Sequence, residues 1–310
     1  MATCYKETPL NFQDIEPYVI QDKEQIVRKI ITAQRCYFYD TCSFRRHAHL
    51  PNPQYWFDYI KNDNGIVIIT RCILMELASH SGILNSEYID YIKEMNTSGV
   101  EILVIYEENL FDILSVCFSA NECINNFLHY TVRNVKTATG TISETLKNDV
   151  LLKQEILVKE NVSDGSLFTR FFKEVRSNKE SGDNLGEELL VVCVHMLSNI
   201  PENFKYKYII VTDDKGAIGL VKKAMKNADE LQKPHLFSAF TTTRIAQLLY
   251  TDRLISQKAQ VEEILSVCVS DGKVPFLGTE EYDLEIKEKK MTCDELAQKI
   301  MTENAVRIHY

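Results

Sequence analysis

Acidic residues at the ends of apolar runs are the chemistry-bearing feature of this chain. The stretch 205–216, KYKYIIVTDDKG, closes a run rich in Tyr, Ile and Val with Thr212, Asp213 and Asp214, then Lys215 and Gly216. Asp40 closes a second short run, Cys36-Tyr37-Phe38-Tyr39. Glu76 falls inside the segment RCILMELASHSGIL, where Cys72, Ile73 and Ile83 share its helical face at i−4, i−3 and i+7. Glu187 opens LGEELLVVCVHML, with Leu190, Val191 and Val194 on its face. An ionised group on an apolar face is costly unless it is paired or bound to a metal. Hard cations such as Mg²⁺ and Mn²⁺ prefer carboxylate oxygens, and such an ion activates water and stabilises a phosphoryl group under attack. Asp40, Glu76, Glu187, Asp213 and Asp214 are therefore candidate metal ligands.

Each acid also has a plainer reading. Asp40, Asp213 or Asp214 could cap the helix that follows, Glu187 could be a favourable charge at a helix start, and Glu76 could be exposed beside His80. Their joint occurrence in one strand–helix order favours a shared site.

The elements that would position these acids follow from periodicity. Residues 22–35 place Ile26, Ile30 and Ile31 at helical spacing. Further helices are expected at PQYWFDYIKN, over RCILMELASHSGIL, from Glu107 to about Ala120, at LGEELLVVCVHML, over 216–229 and at TTTRIAQLLY. Short apolar runs predict five strands, at 36–39, 66–69, 100–105, 208–211 and about 236–240. Strands alternating with helices imply a parallel sheet with right-handed crossovers. The expected fold is α/β: a three-layer α/β/α sandwich around a mostly parallel sheet of about five strands. Ligand sites in such sheets lie at the carboxyl ends of the strands, where Asp40 and Asp213-Asp214 fall. The last 60 or so residues read as a helix (VEEILSVC), an extended or edge segment (DLEIKEK) and a helix capped at Thr292.

Composition sets the bounds. The 310 residues allow one large domain or two small ones. A net charge of −9 argues against non-specific coating of nucleic acid, though not against a local basic strip working with a metal. Neither phosphate-cradling glycine motif is present. Nine cysteines are scattered singly, without a CxxC pair. The first residues lack the basic and apolar regions of a signal peptide, and no apolar run approaches a membrane span. The expectation is a cytoplasmic protein in a reducing compartment, with no membrane partner.

The succession YFYDTCSF, RCILMELASH, LGEELLVVCVHML and YIIVTDDKGA resembles the PIN-domain nucleases. Their pattern is an Asp-Thr/Ser after the first strand, a Glu in a mid-domain helix, an acid opening a buried helix and a Thr-x-Asp after the next strand. Carried over by position, the resemblance implies Asp40, Glu76, Glu187 and Asp214 as catalytic residues, with Asp213 as neighbour. Thr41 matches the hydroxyl residue after the first acid, and Cys42 stands where Asn is common. Glu187 is preferred to Glu188 or Asp183 on register. The implied activity is metal-dependent endonuclease cleavage, usually of RNA rather than DNA, with Mg²⁺ or Mn²⁺ as cofactor; a homodimer is also implied. The biological role by analogy is a toxin of a toxin–antitoxin pair or a defence nuclease. A haloacid-dehalogenase-type phosphatase is disfavoured, because Asp40-Thr41-Cys42 lacks the second acid of its DxD start.

The resemblance spans roughly 36–120 and 181–250, the two parts of the core. Residues 1–35 form an N-terminal helical extension, 121–180 a helical insertion that restricts substrate or binds a regulatory protein, and 251–310 a C-terminal extension. Candidate substrate contacts are Thr41, Arg45, Arg46, Lys215 and Arg244, since Arg pairs bidentately with phosphate. Arg45 and Arg46 are expected on a loop after Asp40. His47, His49 and Arg71 lie in the same segments. Tyr55, Trp56 and Phe57 either stack on bases or pack the helix after Pro53, and His195 reads as a core histidine.

Overall fold

Cys36 to Tyr39, all fully buried, occupy the middle strand of a five-stranded sheet. The structure is a computed structural model that describes residues 7–78, 81–180, 182–200, 207–230, 237–281, 283 and 285–310, with the side chains of 225–230 excepted. Cys4, His80, Ser181, Lys205, Tyr206, His235 and Leu236 lie outside the described residues.

The first half of the chain runs α1 (Lys23–Thr32), β1 (Arg35–Tyr39), α2 (Thr41–His47), α3 (Gln54–Asn62), β2 (Gly65–Thr70), α4 (Arg71–Ala78), α5 (Ser86–Thr97) and β3 (Glu101–Ile105). A helical stretch follows: α6 (Leu110–Ser115), α7 (Asn121–Val135), α8 (Thr141–Asn148), α9 (Val150–Lys153), α10 (Leu167–Ser177) and α11 (Leu185–Leu197). Next come β4 (Tyr208–Val211), α12 (Lys215–Glu230), β5 (Phe237–Phe240) and α13 (Thr242–Thr251). The chain closes with α14 (Lys258–Ser266), β6 (Val274–Glu280), β7 (Lys287–Met291), α15 (Cys293–Met301) and β8 (Val306–Ile308).

The five expected strands are all present, in the order β3-β2-β1-β4-β5, and every pairing is parallel. Their near-continuous apolar sequences are what a sheet covered on both faces requires. Cys36 stands opposite Ile66 on one side and Tyr208 on the other. With right-handed connections, the crossovers β1–β2–β3 and β3–β4–β5 fall on opposite faces. In agreement, α3 packs on β2 and against α13, whereas α11 packs on β4 and against α7 and α12. The strand order reverses between β1 and β4, so their carboxyl ends flank the crevice where such sheets bind ligands. Asp40 and Thr212 follow directly on those two ends.

The helices of 121–180 are not separate from this core. Ile124, Leu128, Val132, Phe168, Phe171 and Phe172 are buried in the same apolar cluster as the sheet residues. A buried ion network fastens them. Arg176 of α10 bonds Glu107 at 2.7 Å and grips both oxygens of Glu108 at 2.8 and 2.9 Å, and Glu107 also accepts from Cys72 N at 2.9 Å. Along the β3 edge of the sheet, Ile20 adds one parallel bridge beside Leu103.

Three expectations need correction. The helix carrying Glu76 was expected through Leu84, but α4 ends at Ala78 as described, and Ile83 lies in a turn at 47% exposure rather than on the face of Glu76. Arg45 and Arg46 are on α2, not a loop, because Asp40 caps that helix. The C-terminal segment builds an antiparallel sheet, β7-β6-β8, in place of one edge segment. The strand VPFLGTE carries a Pro and a Gly, which read as breakers; β8 pairs only Gly278 to Glu280, so Pro275 has a single strand neighbour, β7. The helix capped at Thr292 is present, with a capping box closed by Glu295. Among the described residues, no helix is long and apolar enough to cross a membrane.

Candidate active site

Asp40 is 1% exposed and ends β1 with both oxygens engaged. Its Oδ1 accepts from Thr41 N at 2.7 Å, which makes it the cap of α2. Its Oδ2 accepts from Thr212 Oγ1 at 2.7 Å and from Cys42 Sγ at 2.9 Å. Thr212 Oγ1 also accepts from Asp214 N at 3.0 Å, so one buried hydroxyl ties the ends of β1 and β4 together. Asp214 Oδ1 in turn accepts from Ala217 N at 2.9 Å in the first turn of α12. The capping role and a place in the acid cluster thus coexist in both aspartates.

Glu76 reaches the same region from α4. Its Oε2 accepts from Thr41 Oγ1, and its Oε1 pairs with Lys179 Nζ at 2.7 Å. Its backbone carbonyl accepts from Arg45 Nη2 at 2.8 Å. The carboxylate lies against the start of α11, where a Cβ on Gly186 would come within 2.6 and 2.7 Å of its two oxygens. That contact explains the glycine before Glu187: only a residue without a side chain lets Glu76 approach the helix N-terminus, where a negative charge is favoured.

Glu187 is the unsatisfied member. Its Oε2 is buried without a hydrogen-bond partner. Burial pushes its carboxyl up to about 8, and the negative charges of Asp40, Glu76 and Asp214 add to the rise. Burial likewise raises Asp40 to about 6 against the bonds from Cys42 and Thr212. The neighbouring Glu188 differs entirely. It is fully buried and accepts from Thr137 N at 3.2 Å, Thr137 Oγ1 at 3.0 Å and Ile142 N at 3.2 Å, so it anchors the insertion. Asp183 is also spoken for, by Lys179 at 2.6 Å and Thr141 Oγ1 at 2.9 Å.

Asp213 faces away from this cluster. Oδ1 accepts from Thr242 N at 2.8 Å; Oδ2 accepts from Thr242 Oγ1 at 2.6 Å and Ser43 Oγ at 3.0 Å, and pairs with Arg46 at 3.1 Å. It terminates a buried relay whose proton directions are fixed by its ends. Because Thr242 donates to Asp213, it accepts from His47 Nε2 at 2.9 Å; His47 Nδ1 then accepts from Tyr39 OH at 2.8 Å, and Tyr39 OH accepts from Trp56 Nε1 at 2.7 Å. Burial holds His47 neutral, down to about 4, with Asp213 opposing and Arg46 reinforcing the shift.

The basic candidates divide. Arg45 and Lys215 are exposed at the rim, Lys215 pairing with Glu288 at 2.6 Å, while Arg46 is committed to Asp213. Arg244 lines other cavities, beside Arg307. Trp56 and Phe57 are buried packing residues, and His195 bonds Thr131 Oγ1 at 2.8 Å inside the core. Sequence reading missed Lys179. It stands in a polar stretch with no periodic signal, yet it is only 3% exposed and bridges Glu76 to Asp183.

Among the described residues, no group of three or more His, Cys, Asp or Glu side chains is gathered as a metal ion would require. Glu76 is drawn toward Lys179 and Thr41, and Asp214 toward α12. The donor chemistry nevertheless suits a hard cation. Three further carboxylates act on Glu187, whose Oε2 has no other partner. Comparison of the chain with protein-family models, with curated proteins and with solved structures finds no match.

Proposed function

We propose that the protein is a metal-dependent endoribonuclease of PIN type, acting as a toxin-like or defence effector. The observation that carries this reading is Glu187, a buried carboxylate with an orphaned oxygen, set among the charges of Asp40, Glu76 and Asp214 at the strand-order reversal. Asp40, Glu76, Glu187 and Asp214 would hold Mg²⁺ or Mn²⁺, which when bound makes water nucleophilic and offsets charge on the phosphoryl oxygens. Thr212 and Thr41 orient Asp40 and Glu76 by donating to them. Arg45 and Lys215, exposed beside the acids, offer charge-assisted bonds to the phosphodiester. Asp213 contributes as an anchor of Arg46 and Thr242.

A catalytically silent PIN-like scaffold that binds RNA or protein is the second reading. The Lys179–Glu76 pair favours it, because one member of the acid set is already neutralised by the chain itself. The test is cleavage of a mixed pool of structured and single-stranded RNAs, with Mn²⁺ or Mg²⁺ and with EDTA. Wild type should cleave with metal only, and the Asp40→Asn/Glu76→Gln double variant should not. Cleavage that persists in EDTA or in the folded double variant would refute the site; RNA retention without cleavage would favour the scaffold.

A further inference from the structure

Far from the acids, one buried glutamine ties Arg244 to the strand that carries Arg307. Gln247 of α13 is clamped to β8 on both sides of Arg307: its Nε2 donates to Val306 O at 2.8 Å, and its Oε1 accepts from Ile308 N at 2.9 Å. The same Oε1 accepts from Arg244 Nη1 at 2.8 Å. Val306 and Ile308 are buried and Arg307 is exposed, so Arg307 projects from the outer side of β8. Arg244 and Arg307 both line a cavity of about 390 Å³ with Arg35, Tyr59, Asp63 and His309. It sits toward the amino-terminal ends of the strands, since Arg35 begins β1 and Asp63 precedes β2.

The charges in this cavity do not balance. Asp63 is already engaged by Arg35 at 3.3 Å and by Tyr37 OH at 2.7 Å. Among the described residues, neither Arg244 nor Arg307 has a carboxylate within ion-pair range, and Asp252 attracts Arg244 only from beyond that distance. Burial, and then the charge of Arg307, hold Arg244 below its ordinary value; burial together with Arg307, Arg244 and Lys222 does the same to His309. A chain of net charge −9 thus keeps a local cationic pocket in which Gln247 orders the Arg244 guanidinium and the bonds to Val306 and Ile308 fix the backbone that presents Arg307. Arg matches the geometry of phosphate oxygens bidentately, and donors ordered beforehand lose less entropy on binding.

We infer that the Arg244–Arg307 cavity binds the phosphate group of a small ligand, whether free phosphate or a mononucleotide. The volume lies within the range of small-molecule sites, and Tyr59, Phe240 and Tyr310 on its walls offer aromatic surface to a base. The inference is independent of the nuclease reading.

Calorimetric titration with inorganic phosphate, 5′-AMP and adenosine tests it. Wild type should bind phosphate and 5′-AMP but not adenosine. Arg307→Gln, an exposed substitution that leaves packing intact, should weaken binding at least tenfold, and Arg244→Gln likewise. Asp40→Asn should bind as wild type does, which separates this site from the acid cluster. Tighter binding of 5′-AMP than of phosphate identifies a nucleotide as the ligand source, and equal binding identifies free phosphate. Absence of phosphate and 5′-AMP binding at millimolar concentration, or binding unchanged in Arg307→Gln, would overturn the inference.

Discussion

Glu187 carries the energetic cost of the acid cluster. A carboxyl with a raised pKa is favoured protonated: the stability attached to it is present below its ordinary value near 4.5 and is lost as pH rises through about 8. Glu187→Gln should therefore change the stability of the metal-free protein little at pH 4 and raise it at pH 9 by several kcal/mol, on the order of 1.4 kcal/mol for each pH unit between the two values. Urea unfolding at the two pH values reads this directly; equal effects at both would deny the buried charge. His47 works with the opposite sign. Its folded value near 4 lies below the ordinary 6.5, so the stability it confers is present above 6.5 and is lost as pH falls through 4. His47→Gln should flatten the acid limb of a stability–pH curve, whatever its cost at neutral pH. The acids were legible in the sequence because each interrupts an apolar pattern. Lys179 was not: a lysine among polar residues carries no mark of burial, and only the return of the insertion to α4 buries it. The separation of Asp213 from Asp214 was equally hidden, since adjacent residues at a strand end diverge according to which helix takes up each side chain.

At the scale of elements, the start of α11 and the end of α10 set the geometry. Gly186→Ala would place a methyl within 2.6 Å of a Glu76 oxygen that Lys179 and Thr41 hold in place. The expected outcome is a loss of about 1–3 kcal/mol, typical of overpacking, with Mn²⁺ binding reduced more than tenfold. A variant equal to wild type in melting temperature and Mn²⁺ affinity would show that Glu76 is not confined there. Arg176→Ala strands Glu107, which is fully buried, without its counter-charge. Such a loss costs about 3–5 kcal/mol, and calorimetric unfolding should show it. The parallel strands were readable because a strand covered on both faces is a continuous apolar run. β6 and β8 were not, since β6 contains Pro275 and Gly278 and β8 is a three-residue strand made by pairing.

Across the whole molecule, the order β3-β2-β1-β4-β5 brings residues more than 170 positions apart to one crevice, as the Thr212–Asp40 bond records. The α/β class followed from the alternation of elements, but the reach of the insertion and of the C-terminal sheet did not. The insertion delivers Lys179 to Glu76, and β7 delivers Glu288 to Lys215, so both segments touch the flanks of the acid cluster. Neither contact has a local sequence signal, because both depend on packing between distant segments. The central claim is that the four acids form one divalent-cation site, and titration of the intact protein with Mn²⁺ tests it most directly. Wild type should bind Mn²⁺, Asp40→Asn and Glu187→Gln should bind at least tenfold more weakly, and Arg307→Gln should match wild type. No Mn²⁺ binding at millimolar concentration, or equal binding by all four proteins, would contradict it.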